Sequence, residues 1–218
     1  MIKCCMFDLD GTLLDTLKTI TYYVNETLQK YDIKPITEDE CKKFVGDGTK
    51  ILFERIFSSR GVNDADLCYQ AMLEYKVAYD KEPYYLTKAY DGMPELISAL
   101  LSKGIRLAVL SNKPHSATEP IISRYFPNSF EKVRGVRDGY PVKPNPAVAF
   151  ELLEEMSLKP DEVMYIGDTN VDMQTGKNFG AGLTVGVLWG FRDKDELVSC
   201  GADITVSHPD MILREVSR

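Results

Sequence analysis

The sequence predicts an α/β protein: a Rossmann-like, doubly wound parallel sheet with an all-helical segment inserted after its first strand. Three observations predict it. Short and almost unbroken apolar runs recur at residues 2–7, 105–110, 163–166 and 183–188. Runs of this kind, without alternation, belong to strands buried on both faces, as in a parallel sheet. From Asp91 onward helical patterns alternate with those runs, the order that winds helices over both faces of a sheet. Residues 15–85, by contrast, contain no convincing strand.

The first strand ends on Asp8. In the insertion, Leu17, Ile20, Val24 and Leu28 keep helical spacing, Ile51, Leu52, Arg55 and Ile56 do the same, and a further helical run covers 66–79. Eight of the twelve tyrosines fall here, read as helix packing rather than as a ligand cage. Asp91-Gly92-Met93-Pro94 opens a helix that carries Leu96, Ile97, Leu100 and Leu101 and stops at Gly104. Strand 105–110 comes next, and the mixed stretch 130–136 has the character of an edge strand. Asn145-Pro146 opens a helix with Val148, Leu152, Leu153 and Met156 on one side. Strands at 163–166 and 183–188 succeed it, and 204–206 adds one more. The predicted organisation is a core of residues 1–14 and 86–218 with a helical domain at 15–85.

Composition bounds the function. The 218 residues are 44% hydrophobic and 27% charged, as in soluble globular proteins, with a net charge of −7. An acidic balance argues against a nucleic-acid partner, because phosphate backbones need a positive surface. No apolar stretch approaches the ~18 residues of a membrane span, and the N-terminus becomes charged too soon for a secretory signal. Five cysteines (Cys4, Cys5, Cys41, Cys68, Cys200) without a CxxC spacing read as reduced thiols of a cytoplasmic protein. Two histidines, His115 and His208, leave little material for a zinc site.

The chemistry concentrates at strand ends. In Phe7-Asp8-Leu9-Asp10-Gly11-Thr12-Leu13, two aspartates close a buried strand at the edge where open α/β sheets bind ligands. Asp10-Gly11 alone is also a turn signal, but a carboxylate at the end of an apolar run, as at Asp8, needs a partner. A second acidic pair closes another strand in Ile166-Gly167-Asp168-Thr169-Asn170-Val171-Asp172. Taken singly, Asp168 reads as a helix N-cap and Asp172 as a first-turn acid. Four aspartates on one rim repel strongly, about 4 kcal/mol per pair at 4 Å and a dielectric near 20. A hard divalent cation relieves this, and all-oxygen ligands favour Mg²⁺. Ser111-Asn112-Lys113-Pro114 comes after the strand at 105–110, and Lys143 lies in the proline-rich loop before the next helix; together they offer anion-binding groups on the same side. Rival signatures fail. Gly180-Ala181-Gly182 lacks a third glycine at the dinucleotide spacing, Gly46-Asp47-Gly48-Thr49-Lys50 lacks the phosphate-loop pattern, and no GxSxG elbow exists.

Through Asp8-Leu9-Asp10-Gly11-Thr12, Ser111-Asn112-Lys113, Lys143-Pro144 and Gly167-Asp168-Thr169-Asn170-Val171-Asp172, in that order, the chain resembles the haloacid dehalogenase superfamily over nearly its whole length. Within it the chain is similar to the phosphoglycolate phosphatase group, with the Phe44-Val45-Gly46-Asp47-Gly48 segment matching that group's substrate-facing loop. The resemblance implies a Rossmann-like core with the helical segment acting as a cap. It implies Asp8 as nucleophile, Asp10 as general acid and base, and Mg²⁺ held by Asp8, the Asp10 carbonyl and Asp168, with Asp172 supporting. It implies phosphate binding by Gly11, Thr12, Ser111, Asn112 and Lys143, with Lys143 also restraining Asp8. Gly46, Gly48 and Lys50 become candidates for substrate choice. The implied activity is hydrolysis of a small phosphorylated metabolite, 2-phosphoglycolate first among them, by a monomer or homodimer. Pyrophosphate, nucleotides and sugar phosphates are alternatives, as is a sugar-phosphate mutase of the β-phosphoglucomutase type.

Overall fold

The computed structural model describes residues 1–216, and the chain divides into two compact units: residues 1–15 with 89–218, and residues 16–88. In the first unit six strands, β1 (Cys4–Phe7), β4 (Arg106–Pro114), β5 (Lys132–Val136), β6 (Val163–Gly167), β7 (Leu183–Val187) and β8 (Ile204–Val206), form one sheet. The order is β5-β4-β1-β6-β7-β8, and every pairing is parallel. Helices α5 (Met93–Ser102), α6 (His115–Tyr125), α7 (Ala147–Glu155), α8 (Asn170–Phe179), α9 (Lys194–Ser199) and α10 (Pro209–Val216) separate or succeed the strands. This is the α/β Rossmann-like architecture expected from the apolar runs.

β1 lies at the centre, pairing Phe7 with Val109 of β4 on one side and with Ile166 of β6 on the other. Its four residues are fully buried. One layer of the core sets Cys4, Met6, Ala108 and Leu110 against Val148, Leu152 and Leu153 of α7, with Tyr165 and Phe179 closing it. Phe179 meets Tyr165 edge-on at 5.6 Å, a favoured aromatic arrangement. The C-terminal ends of β1, β4 and β6 are therefore neighbours, and the segments leaving these strands emerge on one rim.

β4 is longer than the apolar run at 105–110. Its pairing with β5 slips between Leu110, opposite Arg134, and Pro114, opposite Val136. That bulge keeps Ser111, Asn112 and Lys113 within the strand rather than in a loop after it.

The second unit holds α1 (Leu17–Gln29), α2 (Glu38–Phe44), α3 (Thr49–Ser59) and α4 (Ala65–Lys81); the two-residue strands β2 (Leu14–Asp15) and β3 (Lys88–Ala89) stand where the chain leaves and re-enters the first. Ile20, Val24 and Leu28 of α1 are buried, as are Leu52, Phe53, Ile56 and Phe57 of α3. The tyrosines pack: Tyr23 on Tyr79, and Tyr75 on both Tyr79 and Phe53. α2, too short to declare itself by periodicity, is fixed by a capping box in which Thr37 accepts from the Glu40 N–H and Glu40 accepts from the Thr37 N–H. No helix among the described residues is long and apolar enough to cross a membrane.

Candidate active site

Asp8 is the first residue after β1, and its N–H still donates to the Ile166 carbonyl of β6 at 2.9 Å. The chain then turns tightly, with the N–H groups of Thr12, Leu13 and Leu14 all directed at the Leu9 carbonyl. Gly11 takes φ +86° in that turn, and a Cβ there would overlap the Asp168 carboxylate. The turn therefore requires glycine twice over, for its backbone conformation and for room.

Asp168 lies directly after β6 and is fully buried. Its Oδ1 accepts from Thr12 Oγ1 at 2.8 Å, and its Oδ2 accepts from the Phe191 N–H at 2.8 Å. The N-cap of α8 is Thr169, not Asp168: Thr169 accepts from the Asp172 N–H and donates its hydroxyl to Asp172 Oδ2 at 2.6 Å. Asp172, one turn into the helix, is turned back toward β6, where Oδ2 also accepts the Thr169 N–H at 3.0 Å. Both aspartates thus contribute to a shared cluster.

Lys143 completes it. From the loop before α7 its Nζ reaches Asp8 Oδ1 at 2.8 Å and Asp172 Oδ1 at 2.7 Å, with 5% of the residue exposed. The other Asp8 oxygen, Oδ2, receives no hydrogen bond among the described residues. Asp10 stands beside this group rather than in it, gripped by Lys113 Nζ at 3.0 and 3.2 Å. Ser111 Oγ accepts from the Lys113 N–H. The Asn112 amide is engaged at both ends by the Lys143 backbone.

The electrostatics derive from burial. Desolvation pushes the Asp8 carboxyl up to about 7 against the opposing pull of Lys143, with the charges of Asp172 and Asp10 adding to the rise. Asp168 is held well above the carboxylate range by burial first, then by Asp172 and Asp8. Burial works against the charge on Lys143, but Asp172 and Asp8 outweigh it and hold the ammonium protonated. Asp8, Asp168 and Asp172 present carboxylate oxygens within 4.8 Å of one another. Once deprotonated, the three carboxylates outnumber the Lys143 ammonium by two charges, which suits a divalent ion bound through oxygen. The donor set therefore fits Mg²⁺.

Several contributors escape sequence reasoning. Lys113 is visible in the sequence only as part of a motif, and its partner Asp10 lies 103 residues away. Phe191 acts through its backbone, which has no residue signature. Gly190 is the exception, since a Cβ there would overlap Asp168, and a glycine just past the end of β7 is a usable signal. Trp189 donates from Nε1 to the Thr12 carbonyl at 3.0 Å and so buttresses the first motif.

The remaining candidates belong to the helical unit. Gly46 and Gly48 both take positive φ in the loop between α2 and α3. Lys50 is largely exposed and lies 3.8 Å from Glu54 one turn on. Arg55 braces that loop, pairing with Asp47 at 2.6 Å and donating to the Phe44 carbonyl at 2.8 Å.

Known proteins place this arrangement. Residues 5–185 match the family model of haloacid dehalogenase-like hydrolases. The chain belongs to that family. The hydrolase is 31% identical over 208 residues to a phosphoglycolate phosphatase of Rhodospirillum rubrum, covering 93% of this chain and 86% of the relative. It is 28% identical to one from Aquifex aeolicus, covering 98% and 96%. It is also 27% identical to an N-acetylmuramic acid 6-phosphate phosphatase of Pseudomonas aeruginosa, covering 100% and 96%. A crystal structure from Lactobacillus delbrueckii subsp. bulgaricus superimposes with a TM-score of 0.91 at 26% identity, covering 98% of each chain. With this family and these relatives, the chain is a phosphoric monoester hydrolase.

Proposed function

We propose that the chain is a Mg²⁺-dependent phosphatase that cleaves a small phosphate monoester through an aspartyl-phosphate on Asp8, with 2-phosphoglycolate the leading substrate. The observation that carries this reading is the buried Asp8–Asp168–Asp172 cluster with Lys143 bridging Asp8 and Asp172.

Asp8 Oδ2, which takes no hydrogen bond among the described residues, is the oxygen for attack on phosphorus. The new O–P bond forms as the ester O–P bond breaks, and Asp10 gives the departing alkoxide its proton. Asp10 then takes a proton from water as that water attacks the phosphorus, which releases inorganic phosphate and regenerates the Asp8 carboxylate. Splitting the displacement into two steps is the general gain of covalent catalysis. Lys143 keeps positive charge beside the attacking carboxylate throughout, and Lys113 keeps the Asp10 carboxylate in one place between its two tasks. Mg²⁺, held by Asp8, the Asp10 carbonyl and Asp168 with Asp172 in support, would supply Lewis-acid charge opposite the phosphoryl oxygens. Gly11, Thr12 and Ser111 complete the phosphate cradle in this reading, while the Asn112 amide is taken up by the Lys143 backbone.

In the same reading the helical unit serves as a cap, and Gly46, Gly48 and Lys50 are its candidates for selecting the organic part of the substrate. Both phosphoglycolate and N-acetylmuramic acid 6-phosphate, the esters named for relatives of this chain, carry a carboxylic acid, so a carboxylated phosphate ester is the favoured class. The partner is thus a small phosphorylated metabolite in the cytoplasm.

A screen of ~50 phosphorylated metabolites with Mg²⁺, ranked by kcat/KM, tests the reading. Phosphate release highest on carboxylated esters and lost in Asp8→Asn, with the circular dichroism unchanged, supports it. Full activity in Asp8→Asn removes the nucleophile assignment. Isomer formation from a sugar 1-phosphate with a bisphosphate primer, without phosphate release, would move the chain to the mutases.

A further inference from the structure

We propose that Asn112 is a positioning residue that acts through Lys143, its side-chain amide fixing the backbone from which the lysine reaches the carboxylates. The inference rests on the phosphatase reading and goes beyond it, because it takes the Asn112 side chain away from the phosphate.

The contact is reciprocal. Asn112 Oδ1 accepts the Lys143 N–H at 2.8 Å, and Asn112 Nδ2 donates to the Lys143 carbonyl at 3.1 Å. A primary amide carries a donor and an acceptor on one plane, so it engages the peptide of Lys143 much as a neighbouring strand would. An aspartate would set a second acceptor against the carbonyl. Both residues are buried, Asn112 at 7% and Lys143 at 5% exposure.

The loop has few other handles. Pro141, Pro144 and Pro146 contribute no backbone N–H, so the loop's donors are scarce where Lys143 must be held. A lysine is a point charge on a flexible four-carbon stem. Its Nζ stays between Asp8 and Asp172 only if the stem starts from a fixed place. Asn112 sits in β4, beside the strand that carries Asp8. The clamp therefore ties the mobile cation to the same rigid sheet as the nucleophile.

Direct contact between the Asn112 amide and phosphate is the rival, and three measurements separate the two. First, Asn112→Ala should lower kcat about 10- to 100-fold, the scale of a misplaced catalytic group, with KM moving less than about 3-fold. Second, lysine acetylation mapped by peptide mass spectrometry should find Lys143 protected in the parent protein and modified at least ~10-fold faster in Asn112→Ala, the sign of a freed loop. Third, adding Asn112→Ala to Lys143→Met should cost less than about 2-fold more, because no ammonium remains to be placed. Lys143 staying protected, KM rising with kcat retained, or full additivity in the double variant would each overturn the proposal. Should Lys143→Met fail to fold, acetylation of the single variant decides alone. Should the parent protein hydrolyse no phosphate ester, the functional reading fails while the acetylation result still judges the clamp.

Discussion

At the scale of single residues, the site is governed by carboxylates held out of water. Burial chiefly pushes the Asp8 carboxyl from 3.8 up to about 7. Between those two values the folded chain keeps a proton that the unfolded chain has released, so raising the pH through that window takes stability from the fold. The metal-free protein should therefore lose thermal stability from about pH 4 toward pH 7. Asp8→Asn, with no proton to lose, should flatten that decline, and Mg²⁺ should raise the melting temperature more at pH 7.5 than at pH 5. Thermal melts of both proteins in chelator check this, and parallel curves would contradict it. Lys113 gives a second case. Its ammonium is buried and ion-paired with Asp10, a charge-assisted contact of roughly 1.5–3 kcal/mol. Lys113→Met should lower kcat about 10- to 100-fold with a smaller change in KM; steady-state kinetics on the best ester from the screen measures both.

At the scale of elements, the first turn of α8 joins helix capping to the proposed site. Thr169 caps the helix and holds Asp172 Oδ2 with its N–H and hydroxyl. Thr169→Ala should cost about 1 kcal/mol in a urea melt and lower activity as well, whereas Thr169→Ser, which keeps the hydroxyl, should lose little of either. Equal losses in the two variants would place the effect in the methyl group instead. The same element shows what a sequence makes legible. The strands declared themselves because a parallel sheet buries both faces, and Cys4–Phe7 and Val163–Gly167 are buried throughout. The acidic pairs declared themselves because four aspartates at two strand ends have no apolar explanation. The Thr169 cap lay one residue from where the sequence alone put a cap, since Asp and Thr are both good N-caps and adjacent here. The extension of β4 through Ser111, Asn112 and Lys113 was hidden because a bulge depends on the partner strand. The partners of Asn112 and Lys113, 31 and 103 residues away, leave no local signal at all.

At the scale of the whole molecule, the strand ends that carry Asp8, Asp10, Lys113, Asp168 and Asp172, together with the Lys143 loop, belong to the sheet unit, whereas Gly46, Gly48 and Lys50 belong to the helical unit. In the proposed function, chemistry and substrate choice fall to parts with separate cores, one of alternating strands and helices, one of packed helices rich in tyrosine. The cysteines report on both. Cys4 and Cys5 lie inside β1 and Cys41 inside α2, all fully buried, while Cys68 and Cys200 are half-buried. Burial, against the opposing pull of Arg106, pushes the Cys4 thiol up to about 12, and burial raises Cys5 well above its ordinary value. Only the thiolate alkylates readily. Iodoacetamide at pH 8 should therefore add no more than two labels to the folded protein, at Cys68 and Cys200, and five in denaturant, counted by intact mass. A label on Cys41 before one on Cys4 or Cys5, as denaturant is raised, would mean that the helical unit opens first; simultaneous labelling of all three would mean that the two cores melt as one. Native labelling of Cys4 or Cys5 would contradict the burial of the central strand, and with it the placement of Asp8 at that strand's end.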